Sequence, residues 1–459
     1  MGTTFEMTEE FRQRRTQNWM IIGFLYALFY MTRYNNAAAM PQIMNWFGWT
    51  KSDLGIFETV LPLIYGLSVL FNGPLGDKIG GKKLFLIGSI GVFLMNMCMG
   101  VCTLLVTTPA IITGMGTARH VVEQAALLYG FSHSNLIILM AIIWGINGYF
   151  QSMGAIAIVK VNSRWFHKLE RGKFTGIFGI LIRCGLILAF SGVPIIAKSL
   201  PLYCVWFIPA AGVAIVAILV SIFVENSPSD VGYQGFATGD EENTDDNSVS
   251  LRDVLSKILA NKMTWFVLLA SVMIGFVRRG TIDVWFTTYF NEVYTGQVAA
   301  YQVAAWGIAL LGIAGGFVLG ISSDKIFKGR RAPVICIGFI GMVVMLGIGG
   351  LSHHANFGPY AMAISLACLS FFVNGSHGII GGAVTMDLGG KKATATATGL
   401  FDGAQYLVAG PMTGVVMGKL LEKYGWGFWQ WGLIPFAVVG VIAMAFLWNQ
   451  TPKDKNAGH

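Results

Sequence analysis

About twelve apolar stretches, each long enough to cross a bilayer, recur through this 459-residue chain. They centre near Gly23, Leu67, Val92, Ile142, Ile180, Val213, Val272, Ile313, Gly338, Leu366, Ala404 and Val439. All are expected to be helices, because hydrocarbon offers no hydrogen-bond partner to an open backbone. Hydrophobic residues make up 54% of the chain and charged residues only 12%, too few charges to cover a soluble protein of this size. The first 17 residues are polar and no small-residue cleavage site follows the first apolar run, so the first helix is expected to be retained.

The first apolar run, from Trp19 to Pro41, carries an arginine deep inside it. Arg33 lies about 14 residues beyond Trp19, roughly 20 Å along a helix at 1.5 Å per residue, which is near mid-bilayer. A lone cation there costs about 3 kcal/mol on insertion scales, so it is expected to face a polar interior and mark a functional site. A run beginning at Trp265 repeats the design, with Arg278 and Arg279 about 245 residues after Arg33. Two glycine-rich basic turns share this register. One runs from Gly73 through Asp77 and Lys78 to Lys83, and the other from Gly320 through Asp324 to Arg331. Their glycines permit close helix approach, and each aspartate can meet a helix N-terminus or a basic neighbour.

One register thus relates two halves of about six helices. The expected fold class is an all-α membrane protein with twelve transmembrane helices in two six-helix, pseudo-symmetric halves. The expected division is 1–17 as an N-terminal segment, 18–224 as the first half, 225–262 as a polar, solvated linker, 263–449 as the second half and 450–459 as a tail. With the N-terminus inside, roughly 22 Lys and Arg fall on the cytoplasmic side against 5 outside, so both ends are expected to be cytoplasmic. The net charge of +8 is therefore topogenic, and no basic stripe with interleaved aromatics points to nucleic acid. The six cysteines all lie in apolar segments and suggest neither a disulfide framework nor a metal site. No phosphate-cradling loop and no nucleophile with a base can be assembled, which argues against an enzyme and against a cofactor.

The paired turns resemble the major facilitator superfamily. That resemblance implies a substrate site near the midplane between the halves and alternating access by rocking. A narrower set of segments resembles the organophosphate:phosphate antiporters, which include glycerol-3-phosphate and hexose-phosphate carriers. These are Arg33-Tyr-Asn-Asn-Ala-Ala-Ala-Met-Pro41, Trp165-Phe166 with Glu170-Arg171-Gly172, Arg278-Arg-Gly-Thr-Ile-Asp283, and Lys391-Lys392 with Gly399-Leu-Phe-Asp-Gly-Ala-Gln-Tyr406. Carried over by position, the resemblance implies that Arg33 and Arg278 bind substrate, with Tyr26, Tyr30, Tyr65 and Tyr406 lining the site. Each tyrosine also has a plain packing reading.

The chain departs from that family's pattern in several places. The fifth-helix position that is histidine in bacterial glycerol-3-phosphate carriers falls on Ile182, with Arg183 beside it. The second-helix lysine of some members falls on Val69, the seventh helix reads Arg-Arg-Gly where Arg-Tyr-Gly is usual, and the outer segment 107–135 is long. Arg183 has two readings, a phosphate contact or a salt bridge with Asp402. Asn374 and His377 in the tenth helix could bind the organic part of a substrate or make interhelical hydrogen bonds. His353 and His354 are expected to be solvated and Glu58 to be interfacial.

Two guanidinium forks match phosphate oxygens bidentately and stay ionised, so such a site selects dianions. Like charges disfavour closure of an empty site, which suggests exchange. The function implied is exchange of an organic phosphate ester for inorganic phosphate by a monomer in a bacterial inner membrane. The alternatives are a phosphate-ester sensor on the same fold and a carrier of another small anion. Asp283, four residues after Arg279, is expected to neutralise it, leaving Arg278 for the anion.

Overall fold

The computed structural model describes residues 7–112, 127, 130, 132–167, 171–234, 236, 238, 256, 259–385 and 399–450. Glu170, Lys391, Lys392, most of segment 107–135 and most of the linker lie outside them. Among the described residues the regular elements are all helices and there is no strand. Ten helices among the described residues are long and apolar enough to cross a membrane. Two further helical stretches, Glu9–Phe47 and 399–424, carry the polar runs around Arg33 and Asp402 that lower their hydropathy.

The helices are α1 (Glu9–Phe47), α2 (Lys51–Ile79), α3 (Gly81–Ile112), α4 (His133–Trp165), α5 (Arg171–Ile187) and α6 (Cys204–Phe223). They continue with α7 (Lys262–Arg278), α8 (Val298–Ile321), α9 (Arg331–His354), α10 (Pro359–Ile379), α11 (399–424, mixed α and π) and α12 (Ile434–Phe446). The first helix carries Pro41 in its interior. It begins at Glu9 and runs on to Phe47. Proline removes one N–H from the ladder, and a long helix tolerates that loss at membrane depth where neighbours support the flanking turns.

Two compact units result. One comprises Met1–Phe47 with Leu67–Asn247, the other Gly48–Gly66 with Ser248–His459. Within lipid the hydrophobic effect does not press helices together, so packing and interhelical hydrogen bonds must. In the first unit a buried amide chain supplies such bonds. Asn35 donates to Asn96 at 3.0 Å and to the Val205 carbonyl at 3.1 Å, Asn96 to Asn147 at 3.4 Å, and Asn147 to the Thr32 carbonyl at 3.4 Å. This links α1, α3, α4 and α6 at about 0.6 kcal/mol per bond.

The start of the linker is fixed on the first unit, where sequence pointed to a solvated loop. Lys82 pairs with Glu225 at 3.0 Å, Trp165 donates to the Glu225 carbonyl at 2.9 Å, and the Glu225 N–H donates to Asn18 at 2.8 Å. Phe11 then packs on Trp165, Tyr233 and Phe236. The basic turns are pinned by ion pairs, Asp77 with Lys160 in the first unit and Asp324 with Arg331 in the second. Gly80 takes φ +86 between α2 and α3, a backbone that side chains resist. Close packing in the first turn occurs at Gly76 and Gly81, whereas nothing lies within 4 Å of a Cβ built at Gly73.

In the second unit the N-terminal half of α2 lies against α11 through small residues. A Cβ on Gly55 would meet the Gly414 carbonyl at 2.7 Å, and one on Gly418 the Lys51 carbonyl at 2.6 Å. Polar contacts fasten the same crossing. Ser52 donates to Glu422 at 2.9 Å and the Val415 N–H to Thr59 at 3.1 Å.

Candidate functional site

In the first unit, α1 buries Arg33 to 7% exposure. Its guanidinium donates from Nε and Nη2 to Gln151 Oε1 at 3.4 and 3.3 Å, and the Gln151 amide donates to Thr32 Oγ1 at 3.0 Å. The Gln151 amide thereby orients the fork. Tyr30 sits beneath the guanidinium, 4.9 Å from ring centroid to Cζ, and meets Tyr26 edge-on at 5.2 Å. Arg183 is half-buried on α5, which continues into a π turn at Leu188–Gly192. Gln151 and Thr32 were not singled out from sequence. Their signal is the polar stripe Asn147, Gln151 one helical turn apart in an otherwise apolar run.

In the second unit, α7 passes into a π turn at Arg279–Asp283. The Trp429 indole holds this turn by donating to the Gly280 carbonyl at 2.7 Å. The widened turn brings residues five apart into line, where an α-helix aligns those four apart. Asp283 therefore pairs with Arg278, Oδ2 to Nε at 3.2 Å, and not with Arg279 as the four-residue spacing led us to expect. Arg279 turns instead to Glu58 of α2, donating from Nη2 to the Glu58 carbonyl at 2.9 Å and to its carboxylate at 3.5 Å. Glu58 is 6% exposed, so it is a buried ion-pair partner and not an interfacial residue.

Arg278, 7% exposed, presents its Nη2 to the Tyr406 hydroxyl at 3.3 Å, with the Tyr406 ring 5.7 Å from its Cζ. Tyr65 packs edge-on against Tyr406 at 5.1 Å. Each unit thus holds a buried arginine against a tyrosine ring. Tyr406 lies in another π turn, Gln405–Ala409, and a further one follows His377 at Ile380–Val384. Such turns are frequent where a side chain must be re-aimed for function.

Asp402 of α11 lies 4.0 Å from His377 Nε2 in the same unit. Asn374 donates to Ser370 of its own helix, to Oγ at 2.8 Å and to the carbonyl at 3.0 Å, so the bonds its amide makes there are intrahelical. His353 is only partly solvated. It is half-buried, with Nδ1 3.1 Å from the Tyr289 hydroxyl, while His354 is exposed. Among the described residues no group of His, Cys, Asp and Glu could hold a metal ion.

A buried arginine in each half of an all-helical membrane protein invites comparison with known carriers. The Major Facilitator Superfamily profile matches residues 22–411. The glycerol-3-phosphate transporter of Bacillus subtilis is 26% identical, covering 97% of this chain and 94% of its own length. The membrane sensor protein UhpC of Escherichia coli is 26% identical over 99% and 97%, and a probable hexose phosphate transport protein of Chlamydia trachomatis 26% identical over 95% and 91%. Among solved structures, the xylose transporter XylE from E. coli superposes with a TM-score of 0.68 at 15% identity, covering 97% of this chain and all of that one. The nucleoside transporter NupG gives 0.63 at 14%, covering 95% of this chain. These last two bear on fold alone. Matched by the family profile over most of its length, this multi-pass membrane protein belongs to the Major Facilitator Superfamily.

Proposed function

We propose that this protein exchanges an organic phosphate ester for inorganic phosphate across the membrane, with Arg33 and Arg278 holding the phosphate. The observation that carries the reading is the matched pair of buried arginines, each 7% exposed and each held against a tyrosine, Tyr30 or Tyr406. A guanidinium fork binds two phosphate oxygens at once and stays charged at any physiological pH. Gln151 orients one fork; Asp283 and Tyr406 orient the other, so both are pre-set for an anion.

Asp283 offsets part of the Arg278 charge in the ligand-free site, which lowers the cost of burying it. A dianion then supplies the remaining neutralisation, and exchange follows because the loaded site rearranges more easily than the empty one. The membrane inferred is a bacterial inner membrane with both chain ends cytoplasmic, as the distribution of Lys and Arg supports. The similarity to glycerol-3-phosphate and hexose-phosphate carriers supports the substrate class.

Counterflow tests the reading. Proteoliposomes loaded with inorganic phosphate are expected to take up labelled phosphate, and to do so faster when a phosphate ester is supplied on the opposite face. The similarity to UhpC favours a second reading, a sensor that binds the ester without moving it. Tight ester binding by folded protein with no counterflow would select the sensor.

A further inference from the structure

Side chains hold the π turn at Arg279–Asp283 in its widened form. In an α-helix each carbonyl accepts from the N–H four residues on. Here the Trp429 indole, from the short helix Trp426–Trp429, donates to the Gly280 carbonyl at 2.7 Å, and the Thr281 hydroxyl donates to the Val277 carbonyl at 2.6 Å. Trp429 is 1% exposed and packs on Tyr289 with ring centroids 4.8 Å apart, so its N–H is fixed in place. A π turn is the rarer form of a helix, and one held by outside groups has an α-helical alternative within reach.

Both ion pairs on this turn are loose. Asp283 lies 3.2 Å from Arg278 Nε, an approach that is not aligned as a hydrogen bond. Arg279 reaches the Glu58 carboxylate at 3.5 Å, the outer limit of a hydrogen bond, and among the described residues its buried Nε has no hydrogen-bond partner. In an α-helical turn, at roughly 100° per residue, Asp283 would stand about 40° around the helix from Arg279 and about 140° from Arg278. The register of one turn therefore decides which arginine the carboxylate neutralises.

We propose that this turn is a two-register switch, with Trp429 as a positioning residue that acts through it on Arg278. The switch rests on the proposed phosphate reading and adds to it how the empty site is kept and how the anion changes it. In the π register, latched by Trp429 and Thr281, Asp283 sits on Arg278 in the place of an anion while Arg279 holds Glu58. A phosphate dianion on Arg278 displaces Asp283, and the turn closes to the α register, which carries the carboxylate to Nε of Arg279. Asp283 then shares the Arg279 fork with Glu58 and weakens that pairing, so anion binding loosens the N-terminal half of α2 from α7. A ligand shifts such an equilibrium by its differential affinity, which here arises because the carboxylate competes for Arg278 in only one register.

Equilibrium binding of labelled inorganic phosphate to the purified full-length protein tests the switch. Trp429→Phe removes the indole N–H and keeps a ring, and Thr281→Val removes the hydroxyl at nearly constant volume. Each deletes one latch of the π register, so each is expected to bind phosphate tighter, by about 2- to 12-fold, the worth of one hydrogen bond. A merely structural role would weaken binding instead. In an Asp283→Asn background, where the competing carboxylate is already gone, neither change is expected to tighten binding further. The exchange of partners is read separately, from melting temperatures of Arg279→Gln, Asp283→Asn, Glu58→Gln and their pairwise doubles. Without phosphate, Arg279 is expected to couple to Glu58 and not to Asp283; at saturating phosphate, coupling to Asp283 is expected to appear and coupling to Glu58 to fall.

Bound phosphate shows that each variant is folded. Unchanged or weaker binding in both Trp429→Phe and Thr281→Val would overturn the switch, and so would an Arg279–Asp283 coupling that stays absent in the loaded site. If the wild type binds no phosphate, the phosphate reading falls and the switch with it. A wild type that binds phosphate while both variants fail to tighten sinks the switch alone.

Discussion

Arg279 and Glu58 offer the sharpest test of the π turn in α7. The two side chains are 3% and 8% exposed, and the guanidinium also donates to the Glu58 carbonyl. Neutralising one partner strands the other charge in a buried site, a loss of about 3–5 kcal/mol, whereas removing both charges at constant volume is close to neutral. At about 2–4 °C per kcal/mol for a unit of about 230 residues, Glu58→Gln or Arg279→Gln alone should lower the melting temperature by on the order of 10 °C. The double variant should recover most of that. Thermal unfolding of purified protein in detergent, followed by tryptophan fluorescence, reads all three. Asp283→Asn should not rescue Arg279→Gln. The reasoning fails if Asp283→Asn rescues and Glu58→Gln does not, because that is the pattern of an unbroken α-helix pairing residues four apart.

Two other outcomes follow from the arginine geometry. Arg33→Lys should lose most phosphate counterflow despite keeping its charge, since an ammonium cannot reproduce the bidentate fork that Gln151 orients; near-normal counterflow would remove Arg33 from the site. Tyr406→Phe deletes the hydroxyl 3.3 Å from Arg278 and should weaken phosphate binding about 2- to 12-fold with little change in melting temperature, as measured by equilibrium binding.

The architecture was legible because lipid leaves few options. Apolar runs of spanning length must be helices, and the recurrence of Arg33, Asp77 and their counterparts at one spacing announced the duplication. The arginine pairing was misread for a specific reason. Helix register was counted at 3.6 residues per turn, and nothing in Arg-Arg-Gly-Thr-Ile-Asp marks the π turn that moves Asp283 from Arg279 to Arg278. Glu58 and Gln151 were missed because their meaning lies in partners about 220 and 118 residues away in sequence. An isolated polar residue in an apolar run shows that some partner exists, but only the packing names it.

The crossing of α2 and α11 yields a prediction in which two identical substitutions should have opposite signs. Gly410, Gly414 and Gly418 all face α2, where a Cβ on each would meet Pro62, then Thr59 and Gly55, then Lys51, the close approach of small residues that lets membrane helices touch backbone to backbone. A Cβ on Gly414 would stand 2.3 Å from Thr59 Oγ1 and 2.5 Å from the Gly55 carbonyl, closer than any real contact, and the second of these neighbours is backbone that cannot rotate away. Gly414→Ala must therefore prise the N-terminal half of α2 from α11. That strains the Val415–Thr59 and Ser52–Glu422 bonds and pulls Glu58 away from Arg279. Gly73→Ala adds its methyl where nothing lies within 4 Å, and alanine is the better helix former by about 1 kcal/mol. Gly73→Ala should hold or raise the melting temperature and Gly414→Ala should lower it by several degrees, against its gain in helix propensity. If the two variants melt alike, the close approach at Gly414 does not exist in the membrane protein, and the clamp argued for Arg279 loses its support as well.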